Sequence, residues 1–201
     1  MNVITLIIDV SGSMSSKRAS TTEGVQGIVS ENQDARFNLV EFGTREGVEI
    51  VHKKKKAKKL KNYKGKAFSS TPLWDGIGAG LSLIDHEDEN IIMIITDGME
   101  NSSSKWTQEH VKPLLQAVEA AGADMIFLGA DPNAIEAAQH AGIRSARTFS
   151  FMDSDAGNIS AYDISANMAH AKFRMDRDQS QIDTDLRRIA NADKNITNDE
   201  K

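Results

Sequence analysis

The chain begins with a run of branched apolar residues that stops abruptly at an acid followed by hydroxyl side chains. The stretch "VITLIID" (3–9) is almost entirely apolar, which is typical of a strand buried on both faces of a sheet. Directly after Asp9, the residues "VSGSMSS" bring Ser11, Gly12 and Ser13. Three interpretations of this pattern are open at this point: a nucleophile, a phosphate-binding loop or a metal site. The rest of the sequence must distinguish them.

The composition is that of an ordinary globular domain. The 201 residues are enough for one domain with an appendage, and 39% of them are apolar and 26% charged. There is no cysteine, so disulfides and thiolate ligands are excluded and a metal must bind to oxygen or imidazole. No stretch approaches the ~20 apolar residues that span a bilayer, and the N-terminal segment lacks the features of a signal peptide. We therefore expect a cytoplasmic protein without membrane association.

Strand-like and helix-like segments alternate along the chain. Apolar runs predict strands at 3–9, 36–43, 48–53, 90–98, 123–131 and 146–151. Helical spacing and capping residues predict helices at 71–84, 107–122 and 131–142, and further helical turns around Ile164, Met168, Ala171, Met175, Ile182, Leu186 and Ile189. This order predicts a three-layer, Rossmann-like α/β fold. About six strands form a mostly parallel sheet, one edge strand is antiparallel, and helices cover both faces.

The chain divides into a main domain and a tail. We expect one domain over residues 1–175, because the alternating elements lie there. From residue 176 the sequence turns polar, "DRDQSQIDTDLRR" and onwards, which predicts a polar helical extension over 176–201.

Two of the predicted strands carry an acid directly after an apolar run, Asp9 after "TLII" and Asp97 after "MIIT". Ligands of such sheets bind at the carboxyl ends of the strands, so neighbouring strands would bring both carboxylates to one edge. Asp9, Ser11 and Ser13 form the pattern D-x-S-x-S, and "SSTPLWDGI" places Thr71 in a hydroxyl-rich turn before a helix. Carboxylates and hydroxyls suit Mg²⁺ or Mn²⁺. Because hydroxyls are neutral, the ion stays electrophilic towards an anion from outside.

Three segments in order, "DVSGSM", "SSTPLWDGI" and "ITDGMEN", resemble the metal-site loops of von Willebrand factor A (vWA) domains. The resemblance covers about residues 1–152, and "ADMIFLGAD" and "AYDISANMAHAKFR" resemble the small free-standing bacterial and phage members. It implies a metal-ion-dependent adhesion site with metal ligands at Asp9, Ser11, Ser13, Thr71 and Asp97. It also implies that an Asp or Glu of a partner protein completes the coordination of Mg²⁺ or Mn²⁺. We therefore expect a metal-dependent protein-binding module rather than an enzyme.

Other acids and glycines near these loops have structural interpretations. Asp75 and Glu100 are expected to cap or support the site rather than to bind metal. The glycines of "GIGAG" (76–80) suggest a dinucleotide fingerprint, but no strand directly precedes them, so close helix packing is the better interpretation. One alternative function stays open here: a metal-dependent phosphohydrolase, although the sequence places no base or nucleophile in an obvious position near the ion.

A basic segment lies in an otherwise acidic chain. Residues 53–66 contain nine lysines, whereas the rest of the chain has 15 basic against 29 acidic residues. Three interpretations remain open: a solvated surface, salt-dependent binding of nucleic acid phosphates, and steering of an acidic partner towards the metal. Because Lys66 precedes Thr71 by five residues, we expect the segment to reach the rim of the metal site. The identity of the partner and the oligomeric state stay open.

Overall fold

The computed structural model describes residues 1–64, 70–129, 132–144, 148–150, 163, 166–169 and 171–173. Its strands are β1 (Asn2–Asp9), β2 (Arg36–Thr44), β3 (Gly47–Lys56), β4 (Glu89–Thr96), β5 (Asp124–Gly129) and β6 (Thr148–Ser150). Its main helices are α1 (Arg18–Glu31), α2 (Leu73–Leu81), α3 (Gln108–Ala120) and α4 (Pro132–His140). Short 3-10 turns lie at Gly12–Ser15 and Ala57–Lys59. In this part of the chain, no helix combines the length and apolar character needed to span a membrane.

The strands form one sheet in the order β3-β2-β1-β4-β5-β6. All neighbouring pairs are parallel except β2 with β3, which is antiparallel. The hairpin supplies the antiparallel edge strand because its short turn cannot cross over the sheet. The predicted fold class, a mostly parallel Rossmann-like sheet with one antiparallel strand, is confirmed.

Each face of the sheet carries its own apolar core, which makes three layers. On β2, Phe37 and Leu39 belong to one core, and Val40 and Phe42 to the other, as the alternation of the sequence predicts. The first core packs against α1, the turn around Leu60 and the helical residues 166–169. The second packs against α2, α3 and α4. Burial on both faces explains the unbroken apolar runs of β1, β4 and β5.

The predicted helices need a correction at α2, and one helix of the structure was not predicted. α2 begins at Leu73, with Pro72 as its N-cap, and ends at Leu81 rather than at residue 84, because Ser82 already bonds back to the helix as its C-cap. α1 was not predicted at all. α3 is confirmed, with the side chain of Thr107 accepting from the backbone N–H of His110. The predicted boundary between residues 175 and 176, and the extension beyond it, lie outside the described residues.

The glycines of α2 allow close packing, as predicted. A Cβ on Gly76 would lie 2.7 Å from the ring of Phe42, and a Cβ on Gly78 would lie 2.5 Å from the ring of Trp106. Both distances are too short for real carbon atoms. The dinucleotide interpretation of residues 76–80 therefore fails, because these glycines lie within a helix packed on the sheet.

Candidate metal centre

The ends of β1 and β4 place the two predicted carboxylates side by side. The strands pair in parallel with Ile8 opposite Ile95, so Asp9 lies level with Thr96, one residue before Asp97. The hydroxyl of Thr96 donates to Asp9 Oδ2 at 2.5 Å. The register of two central strands therefore brings together acids that are 88 residues apart in the sequence.

The loop after β1 turns its serine hydroxyls towards Asp97. The backbone N–H of Ser11 donates to Asp9 Oδ1 at 2.7 Å, which folds the loop back over the acid. The hydroxyls of Ser11 and Ser13 lie 3.1 Å apart, and Ser13 Oγ donates to Asp97 Oδ1 at 2.6 Å. The alternating positions of D-x-S-x-S therefore converge on one point, as the sequence predicts.

Asp9 is completely buried, and this burial dominates its ionisation. Desolvation raises the pKa of Asp9 from 3.8 to about 6, although hydrogen bonds from Thr96 and Ser11 favour the charged form and the nearby Asp97 disfavours it. An ionised carboxylate at this position is therefore costly unless a cation lies beside it.

Thr71 joins the site through the loop after β4. Its backbone N–H donates to the side-chain oxygen of Asn101 at 2.8 Å, and the Asn101 N–H donates back to the Thr71 carbonyl at 3.1 Å. A Cβ built on Gly98 would lie 3.5 Å from Thr71 Oγ1 and 4.0 Å from Ser13 Oγ. Both hydroxyls therefore border the same small residue, which follows Asp97 directly.

Asp75 and Glu100 support the loop that follows β4. Glu100 Oε2 accepts from the Trp74 N–H at 3.1 Å, and Glu100 Oε1 accepts from the Ser103 N–H at 2.7 Å. Asp75 accepts from the backbone N–H groups of residues 104–106 at 2.7–2.9 Å. Burial opposes ionisation of Asp75, but these backbone hydrogen bonds outweigh it and lower its pKa. Their expected supporting role is thus seen in the structure.

Lys17 is a member of this cluster that the sequence analysis did not find. Its Nζ lies 2.6 Å from Asp97 Oδ2, and the two side chains are only 7% and 2% exposed. The motif gives no signal for it, because Lys17 lies four residues beyond Ser13, after a 3-10 turn. Only the turn of Gly12–Ser15 directs the chain so that this side chain points back into the site.

Gly43 is a second functional position that was missed. Its φ of +83° suits glycine, and a Cβ there would lie 2.5 Å from the Ser70 carbonyl and 2.8 Å from the Ser11 nitrogen. The end of β2 thereby allows the first and second loops to approach each other.

These residues fit a hard divalent cation by the chemistry of their donor atoms. The cluster offers two carboxylates and the hydroxyls of Ser11, Ser13 and Thr71, which are oxygen donors of the kind that Mg²⁺ and Mn²⁺ prefer. Among the described residues, no group of three or more His, Cys, Asp or Glu is placed to share a metal ion. The proposed site contains only two carboxylates, Asp9 and Asp97, and its other donors are hydroxyls.

The lysine-rich segment lies towards the other end of the sheet. Lys55 pairs with Phe37 and Lys56 with Arg36, and Arg36 lies opposite Val3 at the start of β1. Six residues of strand, or about 20 Å, separate this level from Asp9. Within the lysine-rich segment, the exposed lysines among the described residues are Lys53, Lys55, Lys56, Lys58, Lys59, Lys61 and Lys64. Lys66, which we expected to reach the rim of the site, lies outside the described residues.

Solved structures with this fold include a pilus adhesin and a matrix protein of the mussel byssus. The pilus adhesin SpaC from Lactobacillus rhamnosus GG superposes with a TM-score of 0.66 and 16% identity over 86% of this chain and 31% of its own. Proximal thread matrix protein 1 from the mussel byssus superposes with a TM-score of 0.61 and 15% identity over 84% of this chain and 47% of its own. A second structure of the matrix protein, with a zinc-occupied metal-ion-dependent adhesion site, gives a TM-score of 0.60 at 16% identity.

These likenesses establish a vWA-like fold for the chain. The chain spans about a third of the adhesin and about half of the matrix protein. The sequence matches no family model and no curated protein significantly. At such low identity the shared property is the fold, so function must be argued from the site.

Proposed function

We propose that the protein is a metal-dependent protein-binding module. A divalent cation is held by Asp9, Ser11, Ser13, Thr71 and Asp97, and it bridges to an Asp or Glu side chain of a partner protein. The observation that carries this proposal is the meeting of two carboxylates and three hydroxyls, from three distant segments, at the carboxyl ends of β1 and β4.

The chemistry of the donors favours an external anionic ligand. Three of the five donor side chains are neutral, so two carboxylates would leave the ion electrophilic. Ser13 is exposed, which opens that side of the site to a partner. Met99, which is 46% exposed, lies two residues after Asp97 and gives the rim an apolar contact for a protein surface.

Mg²⁺ and Mn²⁺ are our first candidates for the ion, because the donors are all oxygen atoms. Zn²⁺ is a third candidate, because a structure of the mussel matrix protein has zinc at its adhesion site. Binding of all three ions should therefore be measured.

The first test is metal binding by titration calorimetry. We expect Mg²⁺ or Mn²⁺ to bind the purified protein at one site, and Asp9→Ala, Ser13→Ala and Asp97→Ala to weaken this binding at least about tenfold, or by 1.4 kcal/mol. Ser82→Ala is the matched control for Ser13→Ala, because among the described residues the Ser82 hydroxyl bonds within its own helix end, to the Ala79 carbonyl at 2.7 Å. Absence of binding to the wild-type protein would overturn the proposal.

The second test is capture of a partner from a lysate of the source organism. We expect a protein that is retained with the metal ion but lost with EDTA or with Asp9→Ala, and whose binding then requires one of its own acids. Identical sets of retained proteins under all three conditions would contradict the proposal. Hydrolysis of a phosphoester with Mn²⁺, lost in Asp9→Ala, would instead favour the phosphohydrolase.

A further inference from the structure

Lys17 places a positive charge beside Asp97, where the proposed metal would bind. Its ammonium group lies 2.6 Å from Asp97 Oδ2, while Asp97 Oδ1 accepts from Ser13. Both oxygens of Asp97 are therefore engaged by other groups of the chain. A cation that binds Asp97 must share these oxygens with Lys17 and Ser13 or displace them.

The backbone of Lys17 is held in place by its neighbours. Its N–H donates to the Met14 carbonyl at 3.1 Å, and its own carbonyl accepts from the Thr21 N–H and the Ser20 hydroxyl, both at 2.8 Å. The start of α1 therefore fixes where the side chain begins, and the short turn before it fixes its direction.

The side chain of Lys17, in contrast, has a way out of the site. Lysine carries its charge on four flexible carbons, and a new rotamer moves the ammonium group by several ångströms. Ser15 and Ser16, which precede it, are both exposed. A change of rotamer would therefore carry the ammonium group towards an exposed part of the loop and would not require α1 to unfold.

We propose that Lys17 is a built-in competitor of the metal ion. The proposal rests on the proposed function above. The Lys17 ammonium neutralises Asp97 and holds it in position. A divalent cation can bind this carboxylate only if it overcomes the repulsion of Lys17 or displaces its ammonium group. Lys17 thereby sets the concentration of divalent cation at which the module binds its partner.

The competition predicts two opposite effects of one substitution. Lys17→Met keeps most of the length of the side chain and removes the charge. It should tighten binding of Mg²⁺ and Mn²⁺ about tenfold, because the ion no longer meets a positive charge. In EDTA the same variant should melt at a lower temperature than the wild type, because Asp97 then lies buried without this partner.

Titration calorimetry and thermal melts test the proposal with matched controls. Lys17→Arg keeps the charge and should bind metal within about twofold of wild type. Lys55→Met removes an exposed lysine at the far end of β3, so it controls for net charge and should change neither quantity. A folded Lys17→Met that binds metal no more tightly than wild type would overturn the competition.

Two further measurements cover the cases in which Lys17→Met does not fold or no protein binds metal. If Lys17→Met does not fold, Lys17→Gln takes its place, and the ammonium NMR signal of Lys17 in the wild type should shift as Mg²⁺ is added. A signal unchanged at saturating Mg²⁺ would contradict the competition. If neither wild type nor Lys17 variants bind Mg²⁺, Mn²⁺ or Zn²⁺, the metal site itself is wrong, which is a different result from equal binding by both.

Discussion

At the scale of single residues, the site holds a conflict between stability and binding. Asp9 is fully buried and its pKa is raised to about 6, so near neutral pH the folded protein without metal carries an unfavourable charge. The shift from 3.8 corresponds to about 3 kcal/mol. A cation bound beside Asp9 would offset this cost, because it would neutralise the buried carboxylate.

Replacement of Asp9 should expose this conflict. We expect Asp9→Asn to stabilise the protein in EDTA by roughly 2 kcal/mol at pH 7.5 while it abolishes metal binding. The amide can accept from the Ser11 N–H and donate to Thr96 Oγ1, whose proton then goes to the Gly98 carbonyl 3.1 Å away. Urea unfolding at several pH values measures the effect.

The raised pKa of Asp9 determines how its contribution to stability changes with pH. Because the pKa of Asp9 is higher in the folded than in the unfolded chain, the folded protein binds more protons between about pH 4 and pH 6. The Asp9 contribution to the free energy of unfolding therefore falls as the pH rises through this window. The advantage of Asp9→Asn should grow over the same window, and a constant difference between the two proteins would contradict it.

The sequence was sufficient to bring the five proposed ligands to one sheet edge, but not to find Lys17 or Gly43. Asp9, Ser11 and Ser13 form a local pattern, and Asp97 follows an apolar run. Lys17 reaches Asp97 through a 3-10 turn, and Gly43 matters because two loops meet over it. Neither contact leaves a trace in the spacing of residues.

At the scale of secondary-structure elements, the β2–β3 hairpin holds the first two loops together. Gly43 and Gly47 have nearly the same positive φ, +83° and +85°. Their surroundings differ. A Cβ on Gly43 would collide with the backbone of Ser11 and Ser70, whereas a Cβ on Gly47 would have no described atom within 4 Å.

Alanine at these two glycines should separate strain from collision. Gly47→Ala should lower the free energy of unfolding by about 1 to 2 kcal/mol, because a residue with a Cβ is strained in the left-handed conformation. It should leave metal affinity unchanged. Gly43→Ala should lower the free energy of unfolding by roughly 1 to 3 kcal/mol more, because the neighbouring backbone must move. It should also weaken metal binding. Urea unfolding and calorimetry provide both quantities. Equal losses in the two variants would show that the loops do not depend on this contact.

The elements that the sequence predicted were those with a strong apolar pattern. β1, β4 and β5 are buried on both faces, and their runs are unmistakable. α1 was missed because it contains Gly24 and Gly27, three β-branched or hydroxyl residues in a row at 20–22, and few apolar side chains, mainly Val25, Ile28 and Val29. Such a helix has weak intrinsic propensity, and it is stabilised by packing on the sheet, which the sequence pattern does not report.

At the scale of the whole molecule, the metal site depends on the complete sheet. The proposed ligands come from residues 9–13, 71 and 97 and meet only when β1 and β4 are paired. An unfolded chain cannot bring them together, so the ion should bind the folded state alone.

Metal binding should therefore raise the thermal stability of the entire domain. At an ion concentration 100 times the dissociation constant, the stabilisation is about 2.7 kcal/mol, which corresponds to roughly 5 to 10 °C in a domain of this size. Differential scanning calorimetry with and without Mg²⁺ or Mn²⁺ measures it. Asp97→Ala should show no such rise, and an equal rise in that variant would mean that the ion binds elsewhere.

The outer strand β3 has a consequence for how copies of the protein behave in solution. It is ten residues long and lies at one edge of the sheet, where unpaired backbone groups invite strands of other molecules. A break in its register, with Lys54 at a φ of +43°, and its row of charged lysines oppose such pairing. A polyanion that neutralises those lysines would weaken this protection, and we would then expect copies of the protein to associate along this edge.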